Sequence, residues 1–304
     1  MSVYIHVFMR LKYRFFENFS KKDVAGLQQI GIKVEEGCDA FVLYEDDPKF
    51  ELVKILFGRN WRMKIAETEA DFTEQEKNNA SYLSVWATKR LGYPKPEDWY
   101  DDDDEEDKES EAPSLYKNNA YLHNVFEIDK ASEQYGVLRG KQTDYISVSG
   151  EPKWGKSSIG SLFWLEDILF TTPEVYQKNF EPLGIEYRKV LGYGNQKPLK
   201  TIVQLIPQGV SKSKLLLKKE HLEAKIEEWG LERYWINSGG EGFFEKLDFC
   251  PSFESNVGNY DLFVTQELFG TGGMNLREIF ISQKLYQLLK SNKINDLKYY
   301  PQAN

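Results

Sequence analysis

IFISQKLYQLLKSNKINDLKYYP, from Ile279 to Pro301, decides the fold class of this chain. An apolar stretch ends in Ser282, a helix-compatible segment of about ten residues follows, then Lys293 and Ile294, then a second apolar stretch. The pattern returns as ILFTTPEVYQKNFEPLGIEYRKVL, from Ile168 to Leu191, and in a weaker form as NFSKKDVAGLQQIGIKVEE, from Asn18 to Glu36. Ser282, Thr172 and Ser20 each stand where a side-chain oxygen takes up the orphan N–H groups of a helix start. A strand-helix-strand unit repeated in this way predicts an α+β fold of mostly antiparallel sheets with a few flanking helices. The unit carries no catalytic group of its own.

Charge is distributed very unevenly. The segment EDWYDDDDEEDKESEA, from Glu97 to Ala112, holds eleven acidic residues and one lysine, while the whole chain of 304 residues carries a net charge of -9. The remainder therefore sums to about +1. Such a run cannot bury anything and its charges repel one another, so an extended, solvated linker or loop is expected over 97–113. It separates an N-terminal α+β domain, 1–96, from a C-terminal α+β domain, 114–304. A contact role for the run is the other reading. Trp99 and Tyr100 would then act as aromatic anchors beside Asp101, Asp102, Asp103, Asp104, Glu105, Glu106 and Asp107, together forming a surface for a basic partner.

Within the first domain, AFVLYED, KFELVKILFG and WRMKIAETEA read as strands joined by Asp-Pro and Arg-Asn turns. TEQEKNNASYLSVWATKRLG reads as a helix with a capping box at Thr73 and Glu76 and a stop at Gly92. In the second domain TDYISVSG, SLFWLEDILF, GIEYRKVLGY and LKTIVQLIP read as strands or buried segments, and KKEHLEAKIEEWG, Lys218 to Gly230, as a charged helix. The start of the chain alternates apolar and polar residues from Val3 to Phe15, the period of a strand rather than the solid block of a signal peptide. No window approaches eighteen uninterrupted apolar residues, so no membrane span and a cytoplasmic location are expected.

Few motifs carry chemistry. GEPKWGKS, Gly150 to Ser157, matches the phosphate-loop pattern letter for letter, with Lys156 placed to reach phosphates and Ser157 to hold magnesium. The segment after it, IGSLFWLEDILF, reads as a buried strand rather than the helix a phosphate loop must open. Cys38 and Cys250 are too far apart in sequence for a disulfide framework or zinc knuckle to be read from them. His6, His123 and His221 show no metal-ligand spacing, and neither metal nor cofactor is expected. The acidic pairs Glu166 with Asp167 and Glu245 with Asp248 are formal acid-base candidates with surface carboxylates as the plainer reading. No basic stripe accompanies the aromatic residues, so nucleic acid is not an expected partner.

The Asp-Leu-Phe at Asp261 to Phe263, the strand ending in Ser282 and the Ile294 to Pro301 ending together resemble the second half of bacterial double-CXXCG immunity-type proteins and their relatives in polymorphic-toxin systems. The resemblance covers roughly the last 140 residues. It implies a non-enzymatic protein that neutralises a toxin by direct binding. The family's Cys-x-x-Cys-Gly pairs, which would hold a metal, are absent: Gly37-Cys38 and Cys250-Pro251 each keep one cysteine. The alternative from a different class is a nucleotide-binding enzyme using Lys156 and Ser157.

Overall fold

The computed structural model describes residues 10–96, 124–129, 137–217, 222–226, 231–234, 251–269 and 274–302. These fall into two compact units, the first holding described residues up to Asn79 and the second those from Ala80 onward. Both contain helices and antiparallel sheet, the α+β class expected.

The first unit is a three-stranded sheet under two helices. β1 (Arg10–Phe19) lies between β2 (Gly37–Tyr44) and β3 (Ile65–Asp71) and is antiparallel to both. The period-2 pattern of β1 points Phe15 and Phe19 into a core that also takes Leu27 from helix α1 (Lys21–Gln29) and Phe50, Val53 and Phe57 from helix α2 (Pro48–Phe57). Burying each such side chain stabilises by roughly 1.5–3 kcal/mol. The strand expected over KFELVKILFG is instead α2. Its buried residues are spaced by three and four, Asp47 accepts from the Lys49 N–H at 2.8 Å, Pro48 sits at the first helical position and Gly58 ends the helix at φ 56°. The Asp-Pro pair was thus a helix start rather than a turn. WRMKIAETEA divides, a 3-10 turn over Gly58–Lys64 preceding β3.

Helix α3 (Glu74–Asn79) has the expected capping box, the Glu76 N–H donating to Thr73 Oγ1 at 3.2 Å and the Thr73 N–H to Glu76 Oε2 at 2.5 Å. The rest of the predicted helix is strand β4 (Tyr82–Ala87), whose residues from Leu83 to Ala87 are all buried. A continuous buried run is what a strand covered on both faces requires, and it mimics a helical stripe in sequence.

In the second unit β5 (Phe126–Asp129) pairs with β6 (Val137–Gln142). SLFWLEDILF, expected as one segment, turns at Trp164, φ 66°, between β8 (Ile159–Leu162) and β9 (Leu165–Thr171). Upstream lies β7 (Ser147–Val148). Helix α4 (Pro173–Asn179), β10 (Tyr187–Gly192) and β11 (Lys197–Leu205) complete a five-stranded sheet of order β7-β10-β11-β9-β8. The helix expected over Lys218 to Gly230 is contradicted: β12 (Leu222–Ile226) pairs antiparallel with β13 (Leu231–Tyr234). β14 (Leu262–Val264), β15 (Leu268–Phe269), β16 (Met274–Asn275), β17 (Ile279–Ser282), helix α5 (Gln283–Ser291) and β18 (Leu297–Pro301) follow. β14, β17 and β18 join β4 in a sheet of order β14-β17-β4-β18, while β15 pairs with β13 and β16 with β6.

The helix of the recurring unit is present in all three copies and is closed at both ends in the same way, although in the copy from Asn18 to Glu36 the stretch Ile32 to Glu36 is not a strand. Ser20, Thr172 and Ser282 accept from the N–H of Asp23, Val175 and Leu285. At the far end Gly31, Gly184 and Lys293 adopt left-handed φ of 75°, 68° and 58°. The isoleucine that follows then donates its N–H back to a carbonyl five residues earlier, Ile32 to Leu27, Ile185 to Phe180 and Ile294 to Leu289. That bond defines the Schellman motif, which explains the small-or-basic residue followed by Ile in the sequence. Glycine adopts this φ without strain, whereas a lysine pays a steric cost.

Thr172→Ala and Ser282→Ala should each lower the unfolding free energy by about 1 kcal/mol. Lys293→Gly should raise it by up to about 1 kcal/mol, because it relieves the left-handed residue without removing a contact. Denaturant unfolding of the three variants checks this. A neutral Ser282→Ala or a destabilising Lys293→Gly would contradict the helix-end account.

Candidate functional site

The phosphate-loop-like segment is held down as a strap on β11. Glu151 accepts from the backbone N–H groups of Lys200 at 2.7 Å and Thr201 at 3.0 Å, and these bonds hold its carboxyl below the ordinary glutamate range against the upward push of its partial burial. Trp154 Nε1 donates to the Thr201 carbonyl at 3.0 Å. Gly155 turns the chain at φ 64°, leaving Lys156 exposed.

Three amides at the end of this segment are already in use. The Ser157 N–H donates to the Trp154 carbonyl at 3.1 Å, and those of Ser158 and Ile159 donate to Asp296 Oδ2 at 2.7 and 3.1 Å. Ser158 Oγ reaches the same carboxylate oxygen at 2.9 Å. The chain then enters β8 rather than a helix, so no helix N-terminus faces this segment. The carboxylate of Asp296 thus takes the amides that follow the phosphate-loop pattern.

Among the described residues the most perturbed acid is Glu278, immediately before β17. It is fully buried, accepts from Ser84 Oγ and, at 3.0 Å, from Trp86 Nε1, and burial pushes its carboxyl up to about 8. Its second oxygen has no hydrogen-bond partner. Ser84 is equally inaccessible, at 0 % exposure, so this serine-carboxyl pair has no route to a substrate and serves to join β17 to β4. Glu267, which accepts from the Leu215 N–H at 2.9 Å, and Glu166 are likewise pushed up by burial.

Glu166 and Asp167 do not form an acid-base pair. Successive residues of β9 point to opposite faces, and Asp167 is taken by an ion pair with Arg139. Glu245 and Asp248, the three histidines, Cys250 and the proposed contact residues Trp99, Tyr100, Asp101, Asp102, Asp103, Asp104, Glu105, Glu106 and Asp107 lie outside the described residues. Cys38 is exposed on β2. Among the described residues no group of His, Cys, Asp and Glu has the arrangement of a metal site, and no helix is long and apolar enough to cross a membrane.

One surface feature escaped the sequence reading because its segment was read as a strand. Helix α2 turns Leu52, Ile55 and Leu56 outward, with Ile55 76 % exposed, and Met63 in the following turn is 83 % exposed. Apolar side chains grouped in this way on a surface favour contact with another macromolecule. No family model, no curated protein and no solved structure matches the chain.

Glu278 holds its proton to about pH 8 in the folded chain but releases it near 4.5 when unfolded. Its favourable contribution is complete below the lower value and is lost as pH rises through the upper one. The unfolding free energy should therefore fall between about pH 5 and pH 8, and Glu278→Gln should flatten that fall. A residual slope of the same sign belongs to Glu166 and Glu267. Denaturant unfolding across this range measures it, and an unchanged slope in Glu278→Gln would remove the assignment.

Millimolar ATP or GTP with magnesium should leave the melting temperature unchanged, since a ligand stabilises only where it binds the native state. A rise of several degrees that disappears in Lys156→Ala would restore the nucleotide reading.

Proposed function

We propose that this chain is a non-enzymatic binding protein of the immunity type, acting in the bacterial cytoplasm on a basic protein toxin. The observation that carries the reading is the charge separation: a net -10 within Glu97 to Ala112 against about +1 elsewhere. A field so concentrated attracts a basic surface and raises its association rate at low salt. Toxins that act on nucleic acids present such a surface, and an acidic segment can lie across it as a phosphate backbone would. Trp99 and Tyr100 supply aromatic anchors beside the charge. The outward apolar residues of α2 are a second contact surface of the kind protein partners use. The resemblance of the last 140 residues to immunity-type proteins points the same way.

The test pairs this protein with the toxin encoded beside it. Association is measured with the intact chain and with Asp101 to Asp107 changed to Ser and Gly, at low and at physiological salt. The intact protein should associate faster, with the advantage shrinking as salt rises. Equal on-rates at both salts would make the acidic run a linker, and absence of any complex would remove the immunity reading itself.

A further inference from the structure

The second unit contains a cavity of about 310 Å³ that the binding reading does not use. Its apolar wall comes from four strands, with Leu169 of β9, Leu205 of β11, Leu262 of β14 and Ile279 of β17 among its residues. Into this wall are set three arginines, Arg139, Arg188 and Arg277, and a single carboxylate, Asp167. A volume of this size lies at the small end of ligand pockets, and an apolar wall with a few convergent polar groups is their usual composition.

Among the described residues the charges lining the cavity are only partly paired. Asp167 pairs with Arg139, and neither Arg188 nor Arg277 makes an ion pair among the described residues, although Glu267 and Asp167 lie near enough to favour the charge of Arg277. Both are held by backbone oxygens instead. Arg188 Nη1 donates to the Gln142 carbonyl at 3.0 Å, and Arg277 Nη1 donates to the carbonyls of Thr265, at 2.8 Å, and Gln266. These bonds use one nitrogen of each fork. Nε and Nη2 of each arginine have no acceptor among the described residues, and a planar fork with open donors matches a carboxylate. Burial works against the charge of Arg277 and pushes its guanidinium below the ordinary range, so an anion beside it would relieve a cost the fold already bears.

We propose that this cavity is a binding site for a small amphipathic monoanion, a carboxylate on an aliphatic body, with the head group at Arg188 and Arg277 and the body along the wall of Leu205, Leu262 and Ile279. The site is independent of the acidic run and of the toxin reading.

Octanoate, octanol and inorganic phosphate are titrated calorimetrically into the full-length protein, with thermal melts alongside. Octanoate should bind one to one and raise the melting temperature. Octanol and phosphate, each lacking one half of the recognised chemistry, should bind more weakly by about tenfold or more. Arg188→Met should weaken octanoate by roughly ten- to hundredfold, the range expected for a lost charged hydrogen bond, and leave octanol unchanged. Val210, which also lines the cavity and is 45 % exposed, gives a second variant: Val210→Trp should block octanoate and octanol alike without touching a charge. The proposal is overturned if octanoate does not bind, if octanol or phosphate binds as tightly, or if both variants, shown to be folded by circular dichroism, bind octanoate as the parent does.

Discussion

Two of the recurring units impose the same geometric demand on the second half of the chain. In each, a strand, a short helix and a second parallel strand cover one sheet, yet the two strands are not neighbours. β9 and β10 leave a gap filled by β11, and β17 and β18 leave a gap filled by β4, each filling strand antiparallel to both sides. Adjacent strands lie about 4.8 Å apart, so the open position is one full strand wide and would expose two rows of unpaired backbone groups. β11 reaches its slot by a tight turn from β10. β4 comes from almost two hundred residues away in sequence, and the last sheet cannot close without it.

That demand explains the interior of β4. Leu83 to Ala87 are buried on both faces of the strand, and Ser84 and Trp86 give their polar hydrogens to Glu278 beside the neighbouring strand. The two units also meet at their helices. Tyr176 and Phe180 share a core with Leu285, Tyr286 and Leu289, and Asn292 Nδ2 donates to Asn179 Oδ1 at 2.8 Å, tying one helix end to the other. Asp261, one of the marks on which the family resemblance rests, accepts from both the backbone N–H and the hydroxyl of Ser282. Its role in this chain is to anchor the capping serine.

What could be read in advance was whatever is local. Ser20, Thr172 and Ser282 announced their helices because a cap is satisfied within three residues, and the residue before each isoleucine announced the helix end for the same reason. Misreadings arose where partners are remote. SYLSVWA reads as helix because a strand buried on both faces has no alternation to show, and the sheet that buries it is assembled from the other end of the chain. KFELVKILFG reads as strand because α2 is apolar on its solvent side as well as its core side. KKEHLEAKIEEWG carries helix-forming composition throughout, and at Leu222–Ile226 pairing with β13 overrides it. The cavity was invisible for a stronger reason. Arg139 and Arg188 lie on β6 and β10 and Arg277 between β16 and β17, at spacings that correspond to no motif.

Several polar groups of the second unit are consumed in closing it. Hydroxyls cap helices, the Asp296 carboxylate takes the amides after Ser157, Glu151 pins its strap to β11, and Glu278 is sealed between strands. Side chains committed to such bonds cannot also meet a partner without unfolding part of the sheet, since each abandoned buried group costs about 1–3 kcal/mol. If the chain is a binding protein, as proposed, recognition falls to what the units leave over. On the proposed reading these are the stretch between β4 and β5 in sequence, which holds the acidic run, the outer face of α2, and the two arginines that make no ion pair among the described residues. On those two proposals the first two would meet a macromolecule and the third a small anion, so closing the scaffold need not use the same side chains as binding.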